Sequence, residues 1–248
     1  MKILIACEES QTVCKAFRDR GFEAYSCDIQ DCSGGHPEWH IKDDVILAMD
    51  DNWDLMIAHP PCTFLTVSNT YINRGCSKYT KEEADQYRHE AILFFFAITD
   101  SHIPKIAIEN PIGIMSNLYR KPDQIINPFD FGDNENKKTC LWLKGLPLLQ
   151  KTYSDQLNLF MNVERLEEKY ICSVCGHIFD YSFGKYGCCL KPARIYRNNI
   201  TKSGQNKLAP SENRSKLRSK TYPGIANAMA CRTLRSLKGG ISLFIPIN

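Results

Sequence analysis

Four short strand-like runs, three of them apolar, punctuate the first half of the chain: KILIA (residues 2–6), EAYSC (23–27), LMIA (55–58) and KIAIE (105–109). Between them lie stretches with helical spacing. Val13, Ala16 and Phe17 share one face of residues 12–20, which Gly21 closes. Residues 81–101 place Ala84, Tyr87, Ala91, Phe94, Phe95 and Ile98 at i, i+3, i+4 positions. Strands this apolar, alternating with helices, are buried on both sides. The pattern predicts an α/β fold with a parallel sheet covered on both faces.

The residues just after these runs are the next constraint. In an open α/β sheet, ligands sit at the carboxyl ends of the strands. The first run ends in Glu8-Glu9-Ser10, the second in Asp28, the third in His59-Pro60-Pro61-Cys62 and the fourth in Glu109-Asn110-Pro111. Four consecutive strand ends therefore present polar groups to one edge.

The turn after the first run, ACEESQTV, has no glycine to let a backbone approach phosphates. Glu8 and Glu9 would also repel a pyrophosphate, which argues against NAD and ATP. A sulfonium or ammonium centre would be attracted instead, so Glu8 or Glu9 reads as a partner for S-adenosylmethionine. Asp28, about twenty residues beyond, suits the ribose hydroxyls of an adenosine, or else a helix cap or a solvated turn. Asp44 is placed to meet an adenine amino group, and Asp43 fits equally well on spacing.

Two prolines fix the backbone before Cys62 and hold its thiol at a defined point on the edge. That favours a nucleophile over a buried structural cysteine. Glu109 supplies a carboxyl group at the neighbouring strand end, where it can protonate a ring nitrogen as the thiolate adds nearby, or can cap the following helix.

In this order, ACEESQTV, Asp28, Asp44, HPPC (59–62), IENP (108–111) and TYPGIANAMA (221–230) resemble the motifs of cytosine carbon-5 DNA methyltransferases, closest to short phage and prophage forms. The resemblance covers roughly residues 1–145 and 219–235. It implies a Rossmann-like methyltransferase sheet and S-adenosylmethionine bound by Glu8, Glu9, Ser10, Asp28, Asp44 and Pro60. It also implies a flipped-out cytosine whose carbon 6 is attacked by Cys62 while Glu109 stabilises the protonated ring. The Tyr-Pro-Gly helix resembles the segment that returns to complete the cofactor pocket. Two departures stand out. The aromatic-Gly-x-Gly cofactor loop of the larger enzymes is absent. The family's glutamine/arginine-rich strand has its best counterpart in KKTCLWL (137–143), with Lys137 or Lys138 in place of arginine.

Charge separates the second half from the first. Residues 1–150 carry 15 Lys/Arg and 22 Asp/Glu, whereas residues 151–248 carry 16 and 6. Residues 185–220 alone hold ten basic residues against Glu212, with Tyr186 and Tyr196 interleaved. This polar stretch reads as a long loop or arm for double-stranded DNA, through Lys185, Arg194, Arg197, Lys202, Lys207, Arg214, Lys216 and Arg218. A solvated basic face is the plainer alternative. Of the twelve cysteines, Cys172, Cys175, Cys188 and Cys189 cluster as in a zinc ribbon and predict a structural zinc ion. Adjacent cysteines rarely share one ion, so His177 or Cys231 are alternative ligands, and buried free thiols around a hairpin are the metal-free alternative.

The expected organisation is a catalytic core over 1–150, a small target-recognition and zinc-ribbon-like insertion over 151–218, and a helix over 219–248 returning to the core. No apolar run approaches the roughly 20 residues of a membrane span. The N-terminus does not read as a signal peptide. A cytoplasmic protein of a bacterial or phage-infected cell, with no protein partner inferred, is expected. Two other classes fit the same residues: an enzyme of similar chemistry acting on RNA, free nucleotides or another one-carbon group, and a non-catalytic DNA-binding protein on a decayed scaffold.

Overall fold

β1 (Lys2–Ala6) is buried on both sides, with Ile3, Leu4, Ile5 and Ala6 all fully enclosed. Burying each such large side chain is worth roughly 1.5–3 kcal/mol, enough to fix this run as the centre of a sheet. The computed structural model describes residues 1–66, 79–133, 137–151, 169–171, 178–179, 194–196 and 221–237. In chain order follow α1 (Thr12–Arg18), β2 (Glu23–Asp28), β3 (His40–Lys42), α2 (Val45–Ala48), β4 (Leu55–Ala58), α3 (Lys81–Asp100), β5 (Ile106–Pro111), α4 (Met115–Leu118), β6 (Gln124–Ile126) and β7 (Thr139–Lys144). Three short strands, β8 (Lys169–Ile171), β9 (Ile178–Phe179) and β10 (Arg194–Tyr196), precede α5 (Pro223–Leu237).

The main sheet has seven strands in the order β3-β2-β1-β4-β5-β7-β6. The strands from β3 to β5 are parallel. β7 runs antiparallel to both β5 and β6, so the sheet is mixed where the sequence suggested a parallel one. Side-chain alternation sorts the core. Ile3, Ile5, Leu55, Ile57 and Leu141 pack under α1 and α5. Leu4, Met56, Ile106, Ile108 and Trp142 pack under α2 and α3. Both faces are thereby covered, as expected.

Local chemistry explains the helices. Thr80 and Glu83 form a capping box that starts α3. Tyr87 departs from the apolar face predicted for it. It is exposed and packs against the rings of Phe64 and Tyr79. Leu234 lies on α5, where its side chain falls outside the described residues.

A separate three-stranded sheet has the order β10-β8-β9, with antiparallel pairing throughout. β10 gives regular structure to residues 194–196, which the sequence suggested were loop. Cys172, Cys175, Cys188, Cys189 and His177 lie outside the described residues, so the expected zinc site is not seen. Among the described residues no group of His, Cys, Asp and Glu is arranged to hold a metal ion. No helix among them is long and apolar enough to cross a membrane.

Candidate active site

Because β1, β2, β4 and β5 are parallel, their carboxyl ends share one edge, and the strand order turns at β1 and β4. The antiparallel β7 begins at that edge. Thr139 is paired with Pro111 and Cys140 with Asn110. Lys137 and Thr139 therefore reach the site from the opposite chain direction.

A cleft of about 90 Å³ opens there. Cys62, Pro60 and His59 come from the end of β4, Glu109 and Asn110 from β5, and Lys137 and Thr139 from β7. Thr221 and Tyr222 close it from the start of α5. The two residues predicted to do the chemistry, Cys62 and Glu109, thus line one cavity. Asn110, 2% exposed, donates its amide to the Pro60 carbonyl at 2.7 Å and ties the Pro-Pro-Cys turn to β5. The Cys62 carbonyl accepts from the amides of Leu65 and Thr66, both at 3.0 Å, so the turn is held from both sides.

Glu109 is heavily engaged. Its Oε2 lies 3.1 Å from His59 Nδ1, and its Oε1 accepts a hydrogen bond from the Thr139 hydroxyl. Burial pushes this carboxyl upward, but the His59 contact, the Thr139 hydrogen bond and the Lys137 charge outweigh it and leave Glu109 below the ordinary carboxylate value. For His59, burial disfavours the imidazolium, yet Glu109 and the charge of Glu8 hold it above the ordinary histidine value. Lys137 also lies over the Tyr222 ring, 5.9 Å from its centroid.

The turn after β1 is built without glycine, and Cys7 (φ 60°) and Gln11 (φ 57°) adopt the left-handed conformation to close it. This turn brings the Glu8 carboxylate onto the start of α1. Its oxygens accept from the Val13 amide at 2.7 Å and the Cys14 amide at 3.1 Å. Glu8 is 4% exposed, and burial raises its pKa. Ser10 Oγ is 3.1 Å from Thr12 Oγ1, and Glu9 is 7% exposed. Gln11 grips the backbone of His36 through both its amide nitrogen (2.7 Å) and its oxygen (3.0 Å), fastening the loop after β2 beside this turn.

Asp28 ends β2 and accepts from the Gln30 amide at 2.9 Å. Asp44 caps α2 through the Ile46 amide at 2.9 Å. Each uses one carboxylate oxygen in this way. Burial, followed by the charge of Asp28 and, more weakly, of Asp44, raises the Cys7 thiol just beyond β1. Neither forms an ion pair with a described residue. Next to Asp28, Ile29 is 74% exposed. Cys231, an alternative metal ligand on sequence grounds, takes two guanidinium contacts from Arg20 at 3.3 Å.

Sequence reasoning named Cys62, Glu109 and Pro60, all of which border the cleft, and its KKTCLWL match supplied Lys137. It gave no role to His59, Asn110, Thr139 or Thr221. The first two were visible only as neighbours of a motif, and the last two depend on the direction of β7 and the return of α5. Of the residues proposed to bind DNA, Arg194 lies on β10. Lys185, Arg197, Lys202, Lys207, Arg214, Lys216 and Arg218 lie outside the described residues.

No protein-family model matches the chain, and no curated protein matches it. Among solved structures, it is similar to a candidate DNA modification methyltransferase encoded within an E. coli prophage, with a TM-score of 0.37 and 14% identity. That match covers 58% of this chain and 46% of the other, so it spans about half the length of the solved protein.

Proposed function

We propose that the chain is a DNA cytosine-5 methyltransferase that uses S-adenosylmethionine and a covalent Cys62 adduct. The observation that carries this reading is the shared cleft. A thiol on a stiffened turn and a carboxylate on the next strand face one cavity, and Asn110 fixes their relative position. A thiol nucleophile beside a group able to protonate a ring nitrogen is what addition to carbon 6 of cytosine needs. Oxygen or exocyclic nitrogen acceptors need no such pair.

The residues present fit the cofactor. The Glu8 carboxylate occupies the α1 amides that a nucleotide phosphate would otherwise use, so this turn suits a ligand without phosphate. Asp28 offers a carboxylate for ribose hydroxyls, Ile29 an apolar surface beside it, and Asp44 a further acceptor. When bound, S-adenosylmethionine supplies a methyl group from a sulfonium centre. Glu9 and Ser10 belong to the same edge.

DNA is the proposed polymer substrate, held by the basic residues of 185–220, with zinc bound through the Cys172, Cys175, Cys188 and Cys189 group. The decisive experiment incubates the full chain with labelled cofactor and cytosine-containing duplex DNA, then locates methylation by bisulfite sequencing. Wild type is expected to label carbon 5. Cys62→Ala is expected to lose transfer by at least about a thousand-fold while still binding cofactor in calorimetry. Undiminished transfer by that variant would sink the assigned nucleophile.

A further inference from the structure

The chemistry above leaves His59 without a task. It stands directly before the Pro-Pro-Cys turn, and its side chain is only 8% exposed. Nδ1 lies 3.1 Å from Glu109 Oε2 and 3.3 Å from Thr221 Oγ1. Nε2 is buried and has no hydrogen-bond partner among the described residues. A buried imidazole held this way is costly unless it serves something. The charged and titratable groups facing it are Glu109 from β5, Glu8 from the turn after β1, Lys137 ahead of β7 and Cys62 beyond β4.

Glu109 has a complementary difficulty. To protonate a cytosine ring it must have a proton to give. Its surroundings, an imidazole, a hydroxyl and a lysine, all favour the ionised carboxylate. A carboxylate so placed is empty at neutral pH.

We propose, resting on the methyltransferase reading, that His59 is a positioning residue that stores the transferable proton for Glu109, so that the imidazole–carboxylate pair acts as the general acid. The pair begins as imidazolium and carboxylate. The Cys62 thiolate forms its bond to carbon 6. The carbon 5–carbon 6 π pair then moves between carbons 4 and 5, and the carbon 4–nitrogen 3 π pair settles on nitrogen 3. Nitrogen 3 takes a proton from the Glu109 carboxyl, which draws its own from His59 Nδ1. The pair is left as neutral imidazole and carboxylate. The bared Nδ1 then accepts from the Thr221 hydroxyl, already 3.3 Å away. When the ring gives up the nitrogen proton, the same route returns it to His59.

The test compares kcat/KM against pH for wild type and His59→Asn. Asparagine keeps an N–H toward Glu109 but holds no spare proton. Wild type is expected to lose activity on the alkaline side as His59 gives up its proton. His59→Asn is expected to be at least 10-fold slower at pH 7.5 and to recover at lower pH, where Glu109 itself is protonated. A variant scaled down equally at every pH, with the alkaline limb unmoved, marks a merely structural histidine and overturns the proposal.

A second readout needs no activity. Nitrogen NMR of histidine-labelled full chain is expected to show the His59 imidazole, identified by its loss in His59→Asn, titrating above about 6.5. Glu109→Gln is expected to lower that midpoint. A midpoint at or below 6.5, or one indifferent to Glu109→Gln, overturns the proposal even if wild type methylates DNA. Wild type that labels no cytosine overturns the reading of function and the acid role resting on it. The NMR titration then shows separately whether the proton-sharing pair exists.

Discussion

At Glu8 a side-chain carboxylate takes the place that a phosphate would hold at a helix start. The sequence showed an acidic turn without glycine, from which repulsion of phosphate is expected. It did not show that the carboxylate would fold back onto its own helix, because this depends on the left-handed conformations of Cys7 and Gln11. Glu8→Ala should therefore act first on stability. Losing a buried acceptor from two amides costs on the order of 1–3 kcal/mol, which lowers the midpoint of thermal unfolding by several degrees in a chain of this size. Differential scanning calorimetry checks this. Unchanged stability with lost cofactor binding would instead assign Glu8 to the sulfonium. The His59–Glu109 pair adds a pH dependence of stability. His59, raised above its ordinary value, stabilises the fold fully below its unfolded pKa, and that stability is lost as pH rises through the folded value. Glu109, held low, stabilises above its unfolded pKa, and that stability is lost as pH falls through its folded value. Urea unfolding should show this pair's contribution greatest between the two limits, and His59→Asn should remove its alkaline decline.

Among the elements, β1, β4 and β5 were legible as apolar runs, β2 as a short strand-like run closing on Asp28, and α3 because its period persists over five turns. β3 (HIK) and β6 (QII) were not, since three residues carry no period. β7 was legible as a strand but not in direction, because alternation reads the same both ways. That direction brings Thr139 and Lys137 to the cleft. Two further contacts hold the cleft walls in place. Gly113 bridges to Thr66, and a Cβ there would lie 2.1 Å from the Leu65 carbonyl oxygen. Gly224 donates to Asp133 at 2.9 Å, and a Cβ would lie 2.2 Å from the Phe131 carbonyl oxygen. Gly113→Ala must push the segment after Cys62 away from β5. It is expected to reduce transfer on the order of 100-fold, since displacing a reacting group by about 1 Å costs that much. Asn110→Ala removes the buried bond to Pro60 and should lower transfer similarly while costing about 1–3 kcal/mol of stability. Steady-state kinetics beside thermal melts tests both. Rates near wild type would mean the Pro-Pro-Cys turn keeps its position without β5.

Across the whole molecule, charge is divided between a net acidic residue 1–150 segment and a net basic 151–248 segment. The acidic half places Asp28 at the end of β2, Asp44 at the start of α2 and Glu109 at the end of β5, where the proposed cofactor and target base would each need a carboxylate. Spacing and composition located the carboxyl edge of the sheet from the sequence, because strand ends follow from strand runs. They could not supply the partners of Glu109, His59 and Thr139, which lie fifty and thirty positions away in the chain. The basic half contributes a small antiparallel sheet and the residues proposed to meet DNA. Phosphate contacts release counterions, so log affinity should fall with log salt by about 0.9 for each contact on duplex DNA. Changing Lys202, Lys207, Lys216 and Arg218 together to glutamine is expected to reduce that slope by up to about 3 to 4 units while leaving cofactor affinity unchanged. Fluorescence anisotropy on a duplex across 50–300 mM salt reads the slope, and calorimetry reads the cofactor. A slope that survives the four substitutions would move the DNA contacts off these residues and onto other basic side chains, Lys137 at the cleft among them.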